Sequence, residues 1–208
     1  MQIALDGQGQ RIYPFKSPGD ELAICPGCKS RVWAKCGEIN AHHWAHLSKA
    51  DCDNFAEGET AWHARWKAVA PLERREVVIG KHRADIQLAS GTVVELQRSY
   101  LSPTDIRERE AFYGPNMIWL IAGAAFSDRF HIFNKFNHST KRTFLWLSCR
   151  KSVALITRPL LIDFGEEAVH CGEIPGTLFQ VRKFHAPGKH GWGEFVARES
   201  FKGEIRNG

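Results

Sequence analysis

Residues 83–97 read RADIQLASGTVVELQ, two short runs in which apolar and polar residues alternate. The alternation and the β-branched residues predict two antiparallel strands joined by a turn at Ala89-Ser90-Gly91. Because alternate side chains of a strand share a face, Glu95, Gln97 and Ser99 point to the same side of the second strand. The rest of the predicted fold is arranged around this hairpin.

Two acidic residues lie on the two predicted strands, Asp85 on the first and Glu95 on the second. If the register brings them together, they form a site for a hard cation such as Mg²⁺ or Mn²⁺. A cation held in this way promotes metal-assisted cleavage of phosphodiesters. The alternative is that both carboxylates are solvated or paired with Lys and Arg, which is usual for such residues.

The composition is that of an ordinary globular protein. The chain has 208 residues, 43% hydrophobic and 25% charged, which suits one sizeable domain with a small appendage. The net charge of +5 is compatible with a nucleic-acid partner but does not by itself indicate one. No signal peptide or membrane-length apolar run is visible, so we expect a cytoplasmic protein whose six cysteines are thiols or metal ligands.

A candidate metal-binding element lies near the N-terminus. Cys25 and Cys28 form a CxxC motif, and His43 and His46 form an HxxH motif shortly afterwards. Two sulfur and two nitrogen ligands suit a closed tetrahedral zinc site, which is structural because no coordination position is left for a substrate. Cys52 is an alternative ligand in place of one histidine. The other interpretation is a set of buried thiols and surface histidines.

Residues 57–70 show a helical period that ends before a proline. Glu59, His63 and Lys67 follow one another at four-residue spacing and form a polar stripe beside a tryptophan-bearing core face. Such a stripe is usually a solvated face. Because the helix directly precedes the carboxylate strands, a more specific hypothesis is that the side chains of the stripe lie over the metal site.

A second helix is predicted after the hairpin. Ser102 suits an N-cap, Pro103 the first helical position and Asp105 the first turn. Arg109 and Tyr113 share a face of this helix, where they contact a phosphate or, for Arg109, a structural carboxylate. The apolar residues 117–121 then predict a buried strand, so the order of elements indicates an α/β (α+β) mixed sheet flanked by helices.

The pattern is weaker beyond residue 123. Residues 129–133, 143–147 and 158–164 are candidate strands, and residues 135–142 are a candidate basic loop. Residues 183–193 mix basic, aromatic and glycine residues, which predicts a flexible loop. Such a loop tracks nucleic acid or is an ordinary exposed loop.

The ordered series of motifs in residues 20–122 resembles the competence protein CoiA-like nucleases. The series comprises the CxxC motif, His43-Trp-Ala-His46, Glu59-Thr-x-x-His63-x-x-x-Lys67, Arg83-Ala-Asp85, Glu95-Leu-Gln97-x-Ser99 and Arg109-x-x-x-Tyr113. This family belongs to the PD-(D/E)XK superfamily, so the resemblance implies a restriction-endonuclease-like fold with a small N-terminal zinc-binding subdomain. The corresponding division is 1–56 for an N-terminal β-hairpin, predicted at residues 2–16, and the zinc-binding element, 57–125 for the nuclease core and 126–208 for a β-rich extension.

The resemblance also implies roles for individual residues. Asp85 and Glu95 become the ligands of Mg²⁺ or Mn²⁺, with Glu59 assisting from the first helix. Gln97 stands where the superfamily has a lysine that positions or activates the attacking water, and a neutral amide cannot supply its positive charge. Lys67 or His63 is the candidate replacement.

The remaining residues of this series contact the nucleic acid in this interpretation. Arg83, Ser99, Arg109 and Tyr113 are the candidate nucleic-acid-binding residues. The expected partner is DNA, without a membrane, and a homodimer or a DNA-processing or defence protein is a further candidate partner.

Two functions follow from these expectations. The first is a metal-dependent nuclease that hydrolyses DNA phosphodiester bonds, and the second is a catalytically weak or inactive zinc-containing DNA-binding or DNA-processing adaptor. The sequence leaves open DNA against RNA, single against double strands, and endonuclease against exonuclease action.

Overall fold

A computed structural model describes residues 1–16, 22–38, 42–47, 52, 60–134, 140–149, 151–165, 175–185 and 189–208. The chain divides into two compact units, Met1–Gly91 and Thr92–Gly208. Both contain β-sheet and helix, which confirms the mixed α+β class. The unit boundary lies inside the segment 57–125, and the three-part division of the chain stays a prediction.

The first unit is built from short strands and one short helix in its described part. Its elements are β1 (Ala4–Leu5), β2 (Arg11–Ile12), β3 (Leu22–Ile24), β4 (Arg31–Lys35), β5 (His43–His46), α1 (Ala61–Lys67), β6 (Arg75–Ile79) and β7 (His82–Gln87). The first five strands form an antiparallel sheet in the order β2-β1-β3-β4-β5. Strands β6 and β7 pair antiparallel, with Val77 opposite Ala84.

A small apolar core supports the five-stranded sheet. Its buried members are Ala4, Ala23, Cys25, Val32 and Trp44, and Cys28 and Cys52 pack against it. A core of this size buries little apolar area, and small domains of this kind are commonly reinforced by a metal ion.

Helix α1 confirms the prediction of a helix before the carboxylate strands. It begins after Thr60, whose side chain accepts a hydrogen bond from the backbone N–H of His63. Trp66 is buried, as its place on the predicted core face requires. His63 and Lys67 are also buried, so their stripe is not a solvated face.

The second unit carries a larger sheet. Its elements are β8 (Val93–Gln97), α2 (Pro103–Tyr113), β9 (Met117–Ala122), β10 (Phe130–Asn134), β11 (Lys141–Trp146), β12 (Leu160–Asp163), β13 (Thr177–His185), β14 (His190–Ala197) and α3 (Arg198–Asn207). Within this unit the strands follow the order β10-β11-β14-β13-β12-β9-β8. Strand β9 pairs parallel with both β8 and β12, and the other neighbours within the unit pair antiparallel.

Strand β8 is buried along its whole length, including Glu95 and Gln97. Parallel strands are usually covered on both faces, which explains why the polar residues of β8 are not exposed. The chain therefore holds a carboxylate and an amide in surroundings where each must have polar partners.

Helix α2 confirms the prediction made from Ser102, Pro103 and Asp105. The Ser102 hydroxyl accepts from the backbone N–H of Asp105 at 3.1 Å, and the Asp105 carboxylate accepts from the backbone N–H of Ser102 at 2.9 Å. The two bonds form a capping box that satisfies orphan donors at the start of the helix. The helix ends at Gly114, which adopts φ +67°.

The core of the second unit is dominated by aromatic rings. Phe130 lies at its centre, fully buried, with the Phe144 ring stacked at 5.0 Å and the Phe179 ring edge-on at 5.6 Å. Trp119, Trp146 and Phe164 belong to the same buried cluster. This core fixes which faces of β10, β11, β13 and β14 point inward.

Two loop predictions are wrong in the parts that the structure describes. Lys141 and Arg142 belong to β11 and not to a basic loop, while residues 135–139 lie outside the described residues. Residues 183–185 and 190–193 belong to β13 and β14 and not to a flexible loop, and residues 186–188 lie outside the described part.

Glycines in β14 explain the second error. A Cβ at Gly191 would lie 2.8 Å from the Phe144 ring, and one at Gly193 would lie 2.6 Å from the Phe179 ring. These glycines make room for aromatic side chains packed against the strand, which is a common reason for glycine within a sheet.

None of the described helices has the length and apolar character needed to cross a membrane.

Candidate functional site

A group of sulfur and nitrogen ligands converges in the first unit. Cys25, Cys28, His46 and Cys52 each offer one ligand atom, and all four atoms lie within 4.8 Å of one another. The Sγ atoms of Cys25 and Cys52 are 3.7 Å apart, and Cys28 Sγ lies 3.3 Å from His46 Nε2. We call these four residues the Cys/His cluster.

The dimensions of the Cys/His cluster fit a structural zinc ion. A tetrahedral ion with Zn–S bonds of about 2.3 Å requires sulfur atoms about 3.8 Å apart, close to the 3.7 Å between Cys25 and Cys52. Three thiolates and one imidazole are a common donor set for zinc that only holds a fold together. The cluster can therefore hold a structural zinc ion.

The surroundings of Cys28 favour its thiolate form. Partial burial raises the pKa of the Cys28 thiol, but hydrogen bonds with Ser30, Cys52 and His46 outweigh burial and lower the pKa to about 6. A thiolate is the form that ligates a metal. The CxxC turn thus presents one sulfur that is already largely deprotonated at neutral pH.

His43 is not a member of the Cys/His cluster, which corrects the ligand set Cys25, Cys28, His43 and His46. Both histidines of the HxxH motif lie on strand β5, His43 at its start and His46 at its end. Residues three apart on a strand point to opposite faces, whereas residues three apart on a helix share a face. Cys52, the alternative ligand, takes the fourth position.

A buried lysine from α1 joins two carboxylates in the first unit. The Lys67 ammonium lies 2.8 Å from Glu76 Oε1 and 3.0 Å from Asp85 Oδ1. The side chains of Lys67 and Glu76 are 5% and 1% exposed, whereas that of Asp85 is 22% exposed. Asp85 is therefore the member of this trio that solvent and solutes reach.

Glu76 is a buried carboxylate with several hydrogen-bond donors. It accepts hydrogen bonds from the backbone N–H groups of Gln2 and Ile3, at 2.9 to 3.0 Å, as well as from Lys67. Burial raises the pKa of Glu76, but the charges of Lys67 and Arg83 outweigh it and hold the pKa well below its usual range. Glu76 is thus a buried anion that fixes the position of the Lys67 ammonium.

His63, another member of the predicted polar stripe, is held at the start of α1. The His63 ring Nδ1 lies 2.8 Å from the Thr60 hydroxyl, which holds the imidazole against the start of α1. Glu59 lies outside the described residues. The structure brings Lys67 to a predicted metal-binding carboxylate, Asp85.

Glu95 in the second unit forms a buried ion pair. Its Oε2 accepts from Arg109 at 2.9 Å, and both side chains are nearly inaccessible. The Arg109 guanidinium also lies over the Trp119 ring, 5.8 Å from its centroid. Of the two roles open for Arg109, the structure shows the carboxylate contact.

Gln97 and Ser99 lie at the end of β8 beside a cavity of about 400 Å³. The Gln97 amide nitrogen donates to the Ser99 carbonyl at 3.1 Å. Phe126 and Trp146 also line the cavity, with their rings stacked at 4.3 Å. Its volume lies in the range of small-ligand sites, and its lining combines aromatic and polar groups.

The other predicted nucleic-acid-binding residues lie within the fold. Arg83 Nε is 3.9 Å from Glu76 Oε2, and its side chain is 11% exposed. Tyr113 packs, partly buried, against the aromatic core of the second unit. Their binding to nucleic acid stays a prediction.

Comparison with known proteins identifies the N-terminal segment. Residues 21–55 match the family model "Competence protein CoiA, N-terminal domain". This segment contains all four residues of the Cys/His cluster, so the match and the geometry together support a CoiA-like N-terminal element. No curated protein and no solved structure matches the chain significantly.

Glu76 is a residue of the buried network that the sequence did not indicate. In the sequence it is only an acidic residue before a short apolar run, a position where exposed carboxylates are common. Its backbone adopts φ +48°, an unusual conformation for a residue other than glycine. No sequence pattern predicts the positive φ of Glu76 or the burial of its side chain.

Proposed function

We propose that the chain is a DNA-processing protein and, more specifically, a metal-dependent nuclease that hydrolyses phosphodiester bonds. The description of the matching family model suggests a role in the handling of DNA during competence. The finer assignment to a restriction-endonuclease-like PD-(D/E)XK enzyme follows from the resemblance of residues 57–122 to that superfamily. The proposed metal ligands are Asp85 and Glu95.

The position of Lys67 is the observation that carries this proposal. Its ammonium lies 3.0 Å from the Asp85 carboxylate, so α1 brings a positive charge to a candidate metal ligand. Such a charge is what Gln97, in the place of the motif lysine, cannot provide. A lysine supplied from another element can do the same work, because its position relative to the reacting groups matters and not its place in the sequence.

The chain's own residues then have distinct tasks. The Asp85 carboxylate offers a solvent-reachable oxygen ligand, as a hard cation requires. Lys67 holds and polarises the attacking water or the phosphate, and Glu76 keeps the ammonium in place. A divalent cation bound there would lower the pKa of a water molecule and stabilise the charge that develops on the phosphate.

The experiment is a cleavage assay on the purified full chain. Fluorescently labelled single-stranded and double-stranded DNA are incubated with Mg²⁺, with Mn²⁺ or with EDTA. We expect cleavage that depends on the cation, and a loss of at least a hundredfold in Asp85→Asn, Glu95→Gln and Lys67→Met. The matched controls Glu108→Gln and Lys81→Met change exposed residues and should keep the activity. Cleavage that survives in Asp85→Asn and Glu95→Gln would refute the proposed site.

A second candidate function is a DNA-binding or DNA-processing adaptor that does not cut. The Glu95–Arg109 ion pair favours it, because a carboxylate already bound by a guanidinium must exchange partners before it can ligate a metal. In this case no cation supports cleavage, and DNA binding persists or improves in the Asp85→Asn and Glu95→Gln variants. The same set of variants therefore separates the two functions.

A further inference from the structure

Strands β10, β11, β14 and β13 have one face that does not point into the aromatic core. The register places Phe133, Thr143, Trp192 and Lys183 in one row across the four strands. A neighbouring row contains His131, Leu145, His190 and His185. Together with Lys141, we call these two rows the aromatic-basic face.

Alternation along the strands separates this face from the core. Phe130 and Ile132 of β10 and Phe144 of β11 are buried in the aromatic core. Their neighbours Phe133 and Thr143 therefore point to the opposite side. The contact of Lys141 with the Trp192 ring, 5.0 Å from ammonium to centroid, agrees with this assignment.

The aromatic-basic face is accessible and carries large side chains. Phe133 is 50% exposed, and Lys141, Lys183, His185 and His190 are also exposed. Phe133 is exposed and Trp192 is partly exposed, on the side of the sheet opposite the core. Neither ring therefore contributes to the packing of the aromatic core. Such residues on a sheet surface commonly mark a binding site.

The aromatic-basic face carries more positive than negative charge. Lys141 and Lys183 belong to it, whereas Arg142 points to the core side, where it lies over the Phe195 ring. The described residues of these strands include a single acidic residue, Glu194. Arg182 pairs with Glu194 at 3.1 Å, which neutralises that carboxylate. The complementary partner is therefore a polyanion.

We propose that the aromatic-basic face binds single-stranded nucleic acid. Bases stack on Phe133 and Trp192, and phosphates contact Lys141 and Lys183. Phe133 and Trp192 lie two strands apart, roughly 10 Å, so each can take a different base. The stacking surfaces of bases are hidden in a duplex, so this combination of rings and cations selects an unpaired strand.

The lysine over Trp192 does not block this mode of binding. A cation–π contact at an exposed site is weaker than the stacking of a base on an aromatic side chain. The Lys141 side chain is flexible, so it can move off the Trp192 ring when a base stacks there and still contact the phosphate of the same nucleotide. The surface uses none of the proposed catalytic residues, so it binds whether or not the protein cuts.

The test is fluorescence anisotropy of the full chain in EDTA, with a labelled thirty-nucleotide oligo-dT and a duplex of equal length as probes. We expect Trp192→Ala combined with Lys141→Gln to weaken oligo-dT binding tenfold or more. Phe133→Ala combined with Lys183→Gln gives an independent second measurement in case the first variant does not fold. Each lost phosphate contact should also reduce the salt slope of binding by about 0.7.

The chain provides a matched control on the five-stranded sheet. Trp33 is 43% exposed, and Lys35 lies over its ring at 5.4 Å, so the two pairs have the same chemistry. Trp33→Ala combined with Lys35→Gln should change oligo-dT binding by less than threefold. Equal losses in both pairs, no loss in either, or a wild type that prefers the duplex would overturn the proposal. Cleavage measured in parallel shows separately whether the nuclease proposal holds, since Asp85→Asn should abolish cutting and keep this binding.

Discussion

The buried Lys67 ammonium is held in place by the Glu76 carboxylate, which is itself fixed by backbone N–H groups. A buried ion pair gains stability only if further hydrogen bonds satisfy its members, and Glu76 accepts two backbone N–H groups in addition to Lys67. Glu76 also adopts φ +48°, which costs on the order of 1 kcal/mol. The network that binds its carboxylate compensates for this strain.

Glu76 makes stability depend on pH in a defined direction. Its pKa in the folded chain lies well below the ordinary value of 4.5, so the folded state favours the ionised carboxylate. The resulting stabilisation is complete above pH 4.5 to 5 and is lost as the pH falls below this range, because the unfolded chain takes up the proton first. Urea unfolding measured from pH 7 down to pH 3 should show this loss.

The Glu76→Gln variant tests the assignment. We expect it to be less stable than the wild type by roughly 3 kcal/mol at pH 7, because it leaves Lys67 without its buried counter-ion. The difference should shrink as the pH falls below 4.5. The control Glu108→Gln removes an exposed carboxylate and should leave the wild-type pH profile unchanged. A constant difference between Glu76→Gln and wild type at all pH values would contradict the assignment.

Among single elements, the sequence predicted α1 and α2 better than the ligand set, and α3 was not predicted. The start of α2 could be predicted because capping is local chemistry between Ser102 and Asp105. The HxxH motif could not be interpreted without knowing whether it lies on a helix or on a strand. Histidines three residues apart share one face of a helix but point to opposite faces of a strand. The choice between His43 and Cys52 thus depended on the strand assignment of residues 43–46.

The Cys/His cluster predicts different effects for the two histidines of β5. Removing His46 takes away one of four ligands, so His46→Ala should lower zinc affinity by at least a hundredfold, whereas His43→Ala should change it by less than threefold. Zinc content after purification, and competition with a chromophoric chelator, measure both effects. Chelation should lower the unfolding temperature of the wild type, because metal-binding energy becomes folding energy in small domains. Equal zinc affinity in the two variants would show that the cluster is not the zinc site.

At the scale of the whole molecule, the amount of sheet was harder to predict than its presence. The candidate strands at 129–133, 143–147 and 158–164 overlap the observed β10, β11 and β12. Strand β14 was missed because its glycines resemble loop residues, although Gly191 and Gly193 serve close packing against rings. Strand β13, its hairpin partner, was missed with it. Such long-range packing leaves no periodic signal in the sequence. The buried pairing of Lys67 with Glu76 was missed for the same reason, whereas an ion pair of Arg109 was one of the two alternatives that the sequence left open.

The two faces of β10 should contribute very differently to the stability of the protein. Phe130 is fully buried among aromatic rings, whereas Phe133 on the same strand is 50% exposed. Truncating a buried phenylalanine leaves a cavity and should cost about 3–5 kcal/mol, while truncating an exposed one should cost less than about 1 kcal/mol. Denaturant unfolding of Phe130→Ala and Phe133→Ala, followed by tryptophan fluorescence, measures both. A small loss in Phe133→Ala would show that this ring is free of the core and available for binding, and comparable losses in the two variants would contradict its place on the aromatic-basic face.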